Sequence, residues 1–171
     1  MTRINSHIRR LLCLAAVLAP AVAGSSESIA ATATSTFNVN ANVLAVCTVT
    51  STDLNFGDYD ASQASHDNAT STLSVTCSKG QDYTIALSAG AGAGATVAGR
   101  KMTSGAETLD YYLYTSGSHS TIWGDGTLAT AVVPETGNGD AQSHTVYGQI
   151  PTNQHVPSGV YSDTINVTLT Y

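Results

Sequence analysis

Past residue 30 the side chains equipped for chemistry are two cysteines, four histidines and a few carboxylates in glycine-rich turns. Cys47 and Cys77 lie thirty residues apart. A metal site would need further Cys or His at close spacing, which neither thiol has nearby in sequence. His66, His119, His144 and His155 are scattered, with no His-x-x-x-His or Cys-x-x-Cys cluster, and read as loop histidines. Asp125, Asn138 and Asp140 sit in glycine-rich turns but lack the ligand spacing of a known calcium loop. The run Gly90-Ala91-Gly92-Ala93-Gly94 is followed by Ala95-Thr96-Val97, not by the helix and Lys-Ser/Thr that a phosphate loop requires. No Gly-x-Ser-x-Gly elbow occurs. Trp123 with Tyr111, Tyr112 and Tyr114 could line a carbohydrate or surface-binding patch. The competing account is core packing for Tyr111 and cross-strand pairing for the others. The expectation is a non-enzyme with no cofactor and no bound metal.

The first 30 residues have the layout of an export signal. Arg3, Arg9 and Arg10 form a basic start, residues 11–22 an apolar run too short to span a bilayer, and small residues follow. Cleavage fits after Ala23 or after Ala30, and Ala30 is favoured because a strand pattern begins just beyond it. Cys13 leaves with the leader, so Cys47 and Cys77 reach an oxidising compartment as a pair and read as a disulfide. The remaining chain suits one domain. It keeps Lys79, Arg100 and Lys101 against eleven carboxylates, a net charge of about −8. Such a surface repels phosphates, so nucleic acid is not an expected partner. More than a quarter of these residues are Ser or Thr, as suits the wet face of a sheet.

The elements that would position these groups are strands. Alternation of period two recurs at Phe37, Val39, Ala41 and Val43, at Leu73, Val75 and Cys77, and at Tyr83, Ile85 and Leu87. Leu109, Tyr111 and Leu113 share a face, as do Val146 and Ile150. The last segment puts Tyr161, Ile165, Val167, Leu169 and Tyr171 on one side, with Ser162, Thr164, Asn166, Thr168 and Thr170 opposite. Turn signals such as Gly57-Asp58, Lys79-Gly80, Gly124-Asp125-Gly126 and Pro157-Ser158-Gly159 separate the strands. About seven short strands in one domain indicate an all-β, immunoglobulin-like sandwich.

Residues 34–43 are unusual for a terminal tail because they carry a full strand pattern. Their apolar face must be buried, either in the chain's own sheet or by strand addition to another molecule. Leu44, Ala45 and Val46 offer no Gly or Asn to reverse the chain before Cys47, so a hairpin is disfavoured. The expected organisation is a leader over 1–30, a donor strand over 31–43 and a sandwich over 44–171.

The chain resembles the spore coat protein U domain family, which includes subunits of archaic chaperone–usher pili. The matching pieces are Phe37-Asn-Val39, Cys47-Thr-Val49, Leu54-Asn-Phe56-Gly57-Asp-Tyr59 and Leu73-Ser-Val75-Thr-Cys77. Farther on come Leu109-Asp-Tyr111-Tyr-Leu113-Tyr114, Trp123-Gly124, Tyr147-Gly-Gln-Ile150 and the stretch 159–171. The resemblance implies an incomplete sandwich whose groove takes Phe37, Val39, Ala41 and Val43 of a neighbouring subunit, with the C-terminal strand lining it. It implies a periplasmic chaperone, an outer-membrane usher and other pilin subunits as partners, in a cell-surface pilus supporting adhesion and biofilm formation. A single domain that keeps its donor reads as a shaft or adaptor subunit. The alternatives are a secreted coat protein and a stand-alone extracellular carbohydrate-binding sandwich.

Overall fold

The computed structural model describes residues 29–171, so the leader expected over 1–30 falls almost wholly outside the described residues. Contacts divide the chain into one unit ending at Ala41 and a second, Asn42–Tyr171. The described part of the first unit, residues 29–41, is exposed throughout and joins no strand.

The second unit is all-β. Its strands are β1 (Cys47–Ser51), β2 (Asp67–Cys77), β3 (Asp82–Leu87), β4 (Arg100–Ser104), β5 (Glu107–Tyr114), β6 (Val133–Thr136), β7 (Ala141–Ile150) and β8 (Val167–Thr170). They form a five-stranded sheet in the order β1-β2-β7-β5-β4 and a three-stranded sheet in the order β6-β3-β8. All strand pairings within the two sheets are antiparallel. Among the described residues there is no helix.

Alternation decides which side of each strand is buried. Leu73, Val75 and Cys77 of β2, Tyr83, Ile85 and Leu87 of β3, and Leu109, Tyr111 and Leu113 of β5 point into one continuous core with Val146 and Ile150 of β7. Trp123 joins them, nearly inaccessible, and its indole N–H donates to the Ile85 carbonyl at 3.0 Å. A surface role for Trp123 is therefore excluded. A ring of this size, with its one polar atom satisfied, is more stable inside the sandwich than on it. Positive backbone φ angles at Gly57, Gly80, Gly126 and Gly139 fall in the expected turns.

β1 is fastened to β2 at its first residue. Cys47 and Cys77 are register partners and form a disulfide, while Val46 and Ser78 exchange backbone and hydroxyl hydrogen bonds just outside it. The crosslink closes a loop of about thirty residues, worth roughly 3–4 kcal/mol in the chain-entropy model. Cys47→Ser should lower the urea-unfolding free energy by that order, and reduction of the wild-type chain should reproduce the loss. Equal unfolding midpoints with and without reductant would show that the crosslink does not hold β1.

Candidate functional site: an open seam between the sheets

The two sheets do not end together. β8 is hydrogen-bonded to β3 on one side, through the pairs Leu87 with Val167 and Ile85 with Leu169. Its other side carries no strand among the described residues. The consequence is visible in burial. Ile85 and Leu87 of β3 are buried, whereas Ile165, Val167 and Leu169 on the same inner side are only half-buried. A row of unpaired backbone groups and a half-covered apolar face thus run along one edge of the sandwich.

A cleft of about 510 Å³ opens there. Its floor is Leu73 of β2, Leu87 of β3, Leu113 of β5 and Val146 of β7. One rim is Leu54 and Phe56, in the chain that follows β1, and the other is Tyr161, Ile165 and Val167. Gly148 lets the first rim lie down on β7, since a Cβ at that position would come within 2.8 Å of both Leu54 and Phe56. Phe56 then meets Tyr111 edge-to-face, with ring centroids 6.3 Å apart.

Among the residues singled out from the sequence, Tyr161, Ile165 and Val167 line this cleft, and Leu169 packs on the core beside it. Tyr171 does not reach it. That ring is more than half exposed and borders a shallow hollow with Tyr83, Pro134 and Glu135. Phe37, Val39 and Val43 are 87%, 83% and 88% exposed, respectively, and Ala41 is exposed too; none belongs to a strand. Four apolar side chains stand in water here, which costs free energy until something covers them.

A polar cluster not expected from the sequence lies at one end of the cleft. Asp163 accepts hydrogen bonds from the Tyr111 hydroxyl and the Ala91 backbone N–H, each at 2.7 Å, and from the N–H of Thr164. Arg100, with no accessible surface, donates to the carbonyls of Leu87, Ser88 and Trp123. These bonds tie the loop after β3, the inner face of β5 and the lead-in to β8 together. A signal was present. By period-two counting Asp163 falls on the apolar side with Tyr161 and Ile165, an unusual place for a carboxylate.

Burial, with the neighbouring Asp163 carboxylate, pushes the Tyr111 hydroxyl well above the ordinary phenol range, although Arg100 opposes the shift. Burial pulls the Arg100 guanidinium the other way, below its usual range. Four histidines are spread over the described residues, which hold no group of three or more metal-ligating side chains.

A two-sheet all-β sandwich with one strand-wide opening along its edge is the class of protein that these features define. Comparison with known proteins places it more narrowly. The sequence pattern of the Spore Coat Protein U domain matches residues 33–168, and the chain belongs to that family. Protein U of Myxococcus xanthus is 39% identical over 79 residues, covering 45% of this chain and 43% of that protein. The fold matches a chain in the crystal structure of the CsuC-CsuE chaperone-tip adhesion subunit pre-assembly complex, from the archaic chaperone-usher Csu pili of Acinetobacter baumannii. The TM-score is 0.57 and the identity 20%, over 75% of this chain and 40% of that one. The chain thus spans less than half the length of each of these relatives.

The raised Tyr111 affinity for its proton sets a pH dependence. A phenol with a higher pKa folded than unfolded contributes stability that is complete below about pH 10 and lost as pH rises beyond it. Wild-type thermal stability should therefore fall steeply above pH 10. Tyr111→Phe should flatten that fall while costing about 1–3 kcal/mol at pH 7, because Asp163 loses a donor. Identical melting profiles of the two proteins from pH 8 to 11.5 would show that Tyr111 is not the titrating group.

Proposed function

We propose that this chain is a structural subunit of a surface pilus assembled by the chaperone–usher pathway through donor-strand exchange, exported through the periplasm and supporting adhesion and biofilm formation. The carrying observation is the pairing of a deficit with a surplus. One side of β8 carries no strand among the described residues, beside a half-covered apolar cleft, and residues 37–43 present an uncovered apolar strand pattern.

Strand addition satisfies both at once. An extended segment laid along β8 would pair its free backbone groups and lower Phe37, Val39, Ala41 and Val43 toward the floor formed by Leu73, Leu113 and Val146. Burying Phe37, Val39 and Val43 would contribute roughly 1.5–3 kcal/mol each, in addition to the main-chain hydrogen bonds. Residues 31–43 hold no charged side chain, so none would have to be desolvated. A subunit that both gives and receives a strand makes a head-to-tail contact, which need not close and therefore grows a filament.

Until the neighbour arrives the cleft is an aggregation hazard. A periplasmic chaperone covering it and an outer-membrane usher exchanging it are the partners this chemistry calls for. The Csu complex, which holds a chaperone with a pilus subunit, supports that assignment. A secreted coat protein is the second reading, favoured by the match to the Spore Coat Protein U domain. Electron microscopy of the expressing cell separates the two: thin fibres for the pilus, a continuous layer for the coat.

The exported chain lacking residues 31–43 should be insoluble alone, and soluble when residues 34–43 are fused after Tyr171. Were the truncated chain a stable, soluble monomer, strand donation would be ruled out. Phe37→Asp or Val39→Asp should abolish fibres while leaving co-purification with the chaperone intact, because the receiving cleft is unchanged. Normal fibre yield from either variant would count equally against the proposal.

A further inference from the structure

The outer face of the five-stranded sheet carries a feature that strand donation does not use. On β5 the inward residues are Leu109, Tyr111 and Leu113, so Tyr112 and Tyr114 point outward. Register pairs Tyr114 with Tyr147 of β7, and Tyr112 with Gln149. On the far side of β7, Gln149 meets Asn68 of β2, and their side-chain amides are hydrogen-bonded at 3.0 Å. Three half-buried phenol rings therefore lie side by side, with primary amides at one margin.

The loop after β5 forms a wall against this floor. His119 packs edge-on to Tyr114, with ring centroids 5.0 Å apart. Gly117 lies close against the Tyr147 ring, near enough that a Cβ there would stand 3.2 Å from it. His119 is held with φ at +52°, a left-handed backbone that a residue with a Cβ adopts at a cost. The hydroxyls of Ser116, Ser118 and Ser120 form a chain at 2.8 and 3.0 Å along the same loop. Tyr114 is partly desolvated, and Tyr112 beside it adds to the upward push on its pKa, so the Tyr114 ring stays a neutral phenol at physiological pH.

We propose that Tyr112, Tyr114 and Tyr147, walled by the His119 loop and edged by Gln149 and Asn68, form a binding site for a neutral glycan. Ring faces suit the C–H face of a pyranose, and amides, imidazole and hydroxyls suit its hydroxyl groups. Charge narrows the occupant. The chain past residue 30 has a net charge of about −8, and the nearest carboxylate on β5, Asp110, is already paired with Lys101. An acidic polymer would be repelled and a neutral one would not. Size argues against a second copy of this chain. Two residue rows across three strands cover on the order of 150 Å², far below the roughly 800 Å² per partner of a stable protein interface.

Isothermal titration of the exported chain with cellohexaose, maltohexaose, chitohexaose and hexagalacturonate tests the site, with light scattering run in parallel. At least one neutral hexasaccharide should bind, and hexagalacturonate should not. Tyr114→Ala should weaken binding about tenfold with an unchanged melting temperature, while Tyr112→Phe should retain it. Gln149→Ala should also weaken binding, and it stands in should Tyr114→Ala fail to fold. No heat with any of the three neutral sugars overturns the proposal. So do equal binding of hexagalacturonate, indifference to Tyr114→Ala or Gln149→Ala, and sugar-free self-association abolished by those substitutions. None of these outcomes bears on strand donation, whose readout is fibre formation.

Discussion

A β-sandwich closes only where both of its sheets reach the same edge. In this protein five strands face three, and the smaller sheet ends at β8, whose side away from β3 carries no strand among the described residues. That mismatch sets the rest of the molecule. It leaves Ile165, Val167 and Leu169 half-covered although they lie over a core whose central members are nearly inaccessible. It also places the cleft directly over Leu73, Leu113 and Val146, so that the missing layer is missing from the hydrophobic core itself. The hydrophobic effect and the demand of backbone groups for partners act at the same place and in the same direction.

The remaining edges are treated differently. β1 is crosslinked to β2 and hydrogen-bonded through Ser78. β4 is continued by a bridge between Thr103 and Ser162, and β6 carries Pro134 in its middle. Proline and short strands are common means of blunting an edge against stray pairing. The lead-in to β8 is pinned at Asp163 by Tyr111 and Ala91, with Arg100 fastened behind it to three carbonyls. The rim carrying Tyr161 and Ile165 therefore cannot collapse into the cleft without breaking the hydrogen bonds that hold Asp163.

Membership of the Spore Coat Protein U domain family and the shared fold with a chain of the Csu complex agree with this geometry. The outer face of the larger sheet adds a second surface of different chemistry, aromatic and amide rather than aliphatic. The two surfaces lie on opposite faces of that sheet, because successive residues of β5 and β7 point alternately inward and outward.

Much of this was legible in the residues alone. Strict alternation assigned the inward faces of β2, β3, β5 and β7, since a period of two permits only one buried side. The export expected from the leader pattern, with the cysteine count, paired Cys47 with Cys77, and turn glycines marked the reversals. Other features were not written locally. Trp123 could be read as part of a surface patch or as a cross-strand pair until the tertiary structure placed its N–H in the core against Ile85. Arg100 looked like a surface cation and is buried, where the carbonyls of Leu87, Ser88 and Trp123 converge on it. The strand pattern of residues 161–171 condensed to four residues paired with β3, with Ser162 bridged instead to Thr103 of β4. Periodicity is a property of neighbours in the chain. Which edge stays unpaired, and which side chains meet across it, depends on contacts between residues far apart in sequence, and only the folded arrangement decides those.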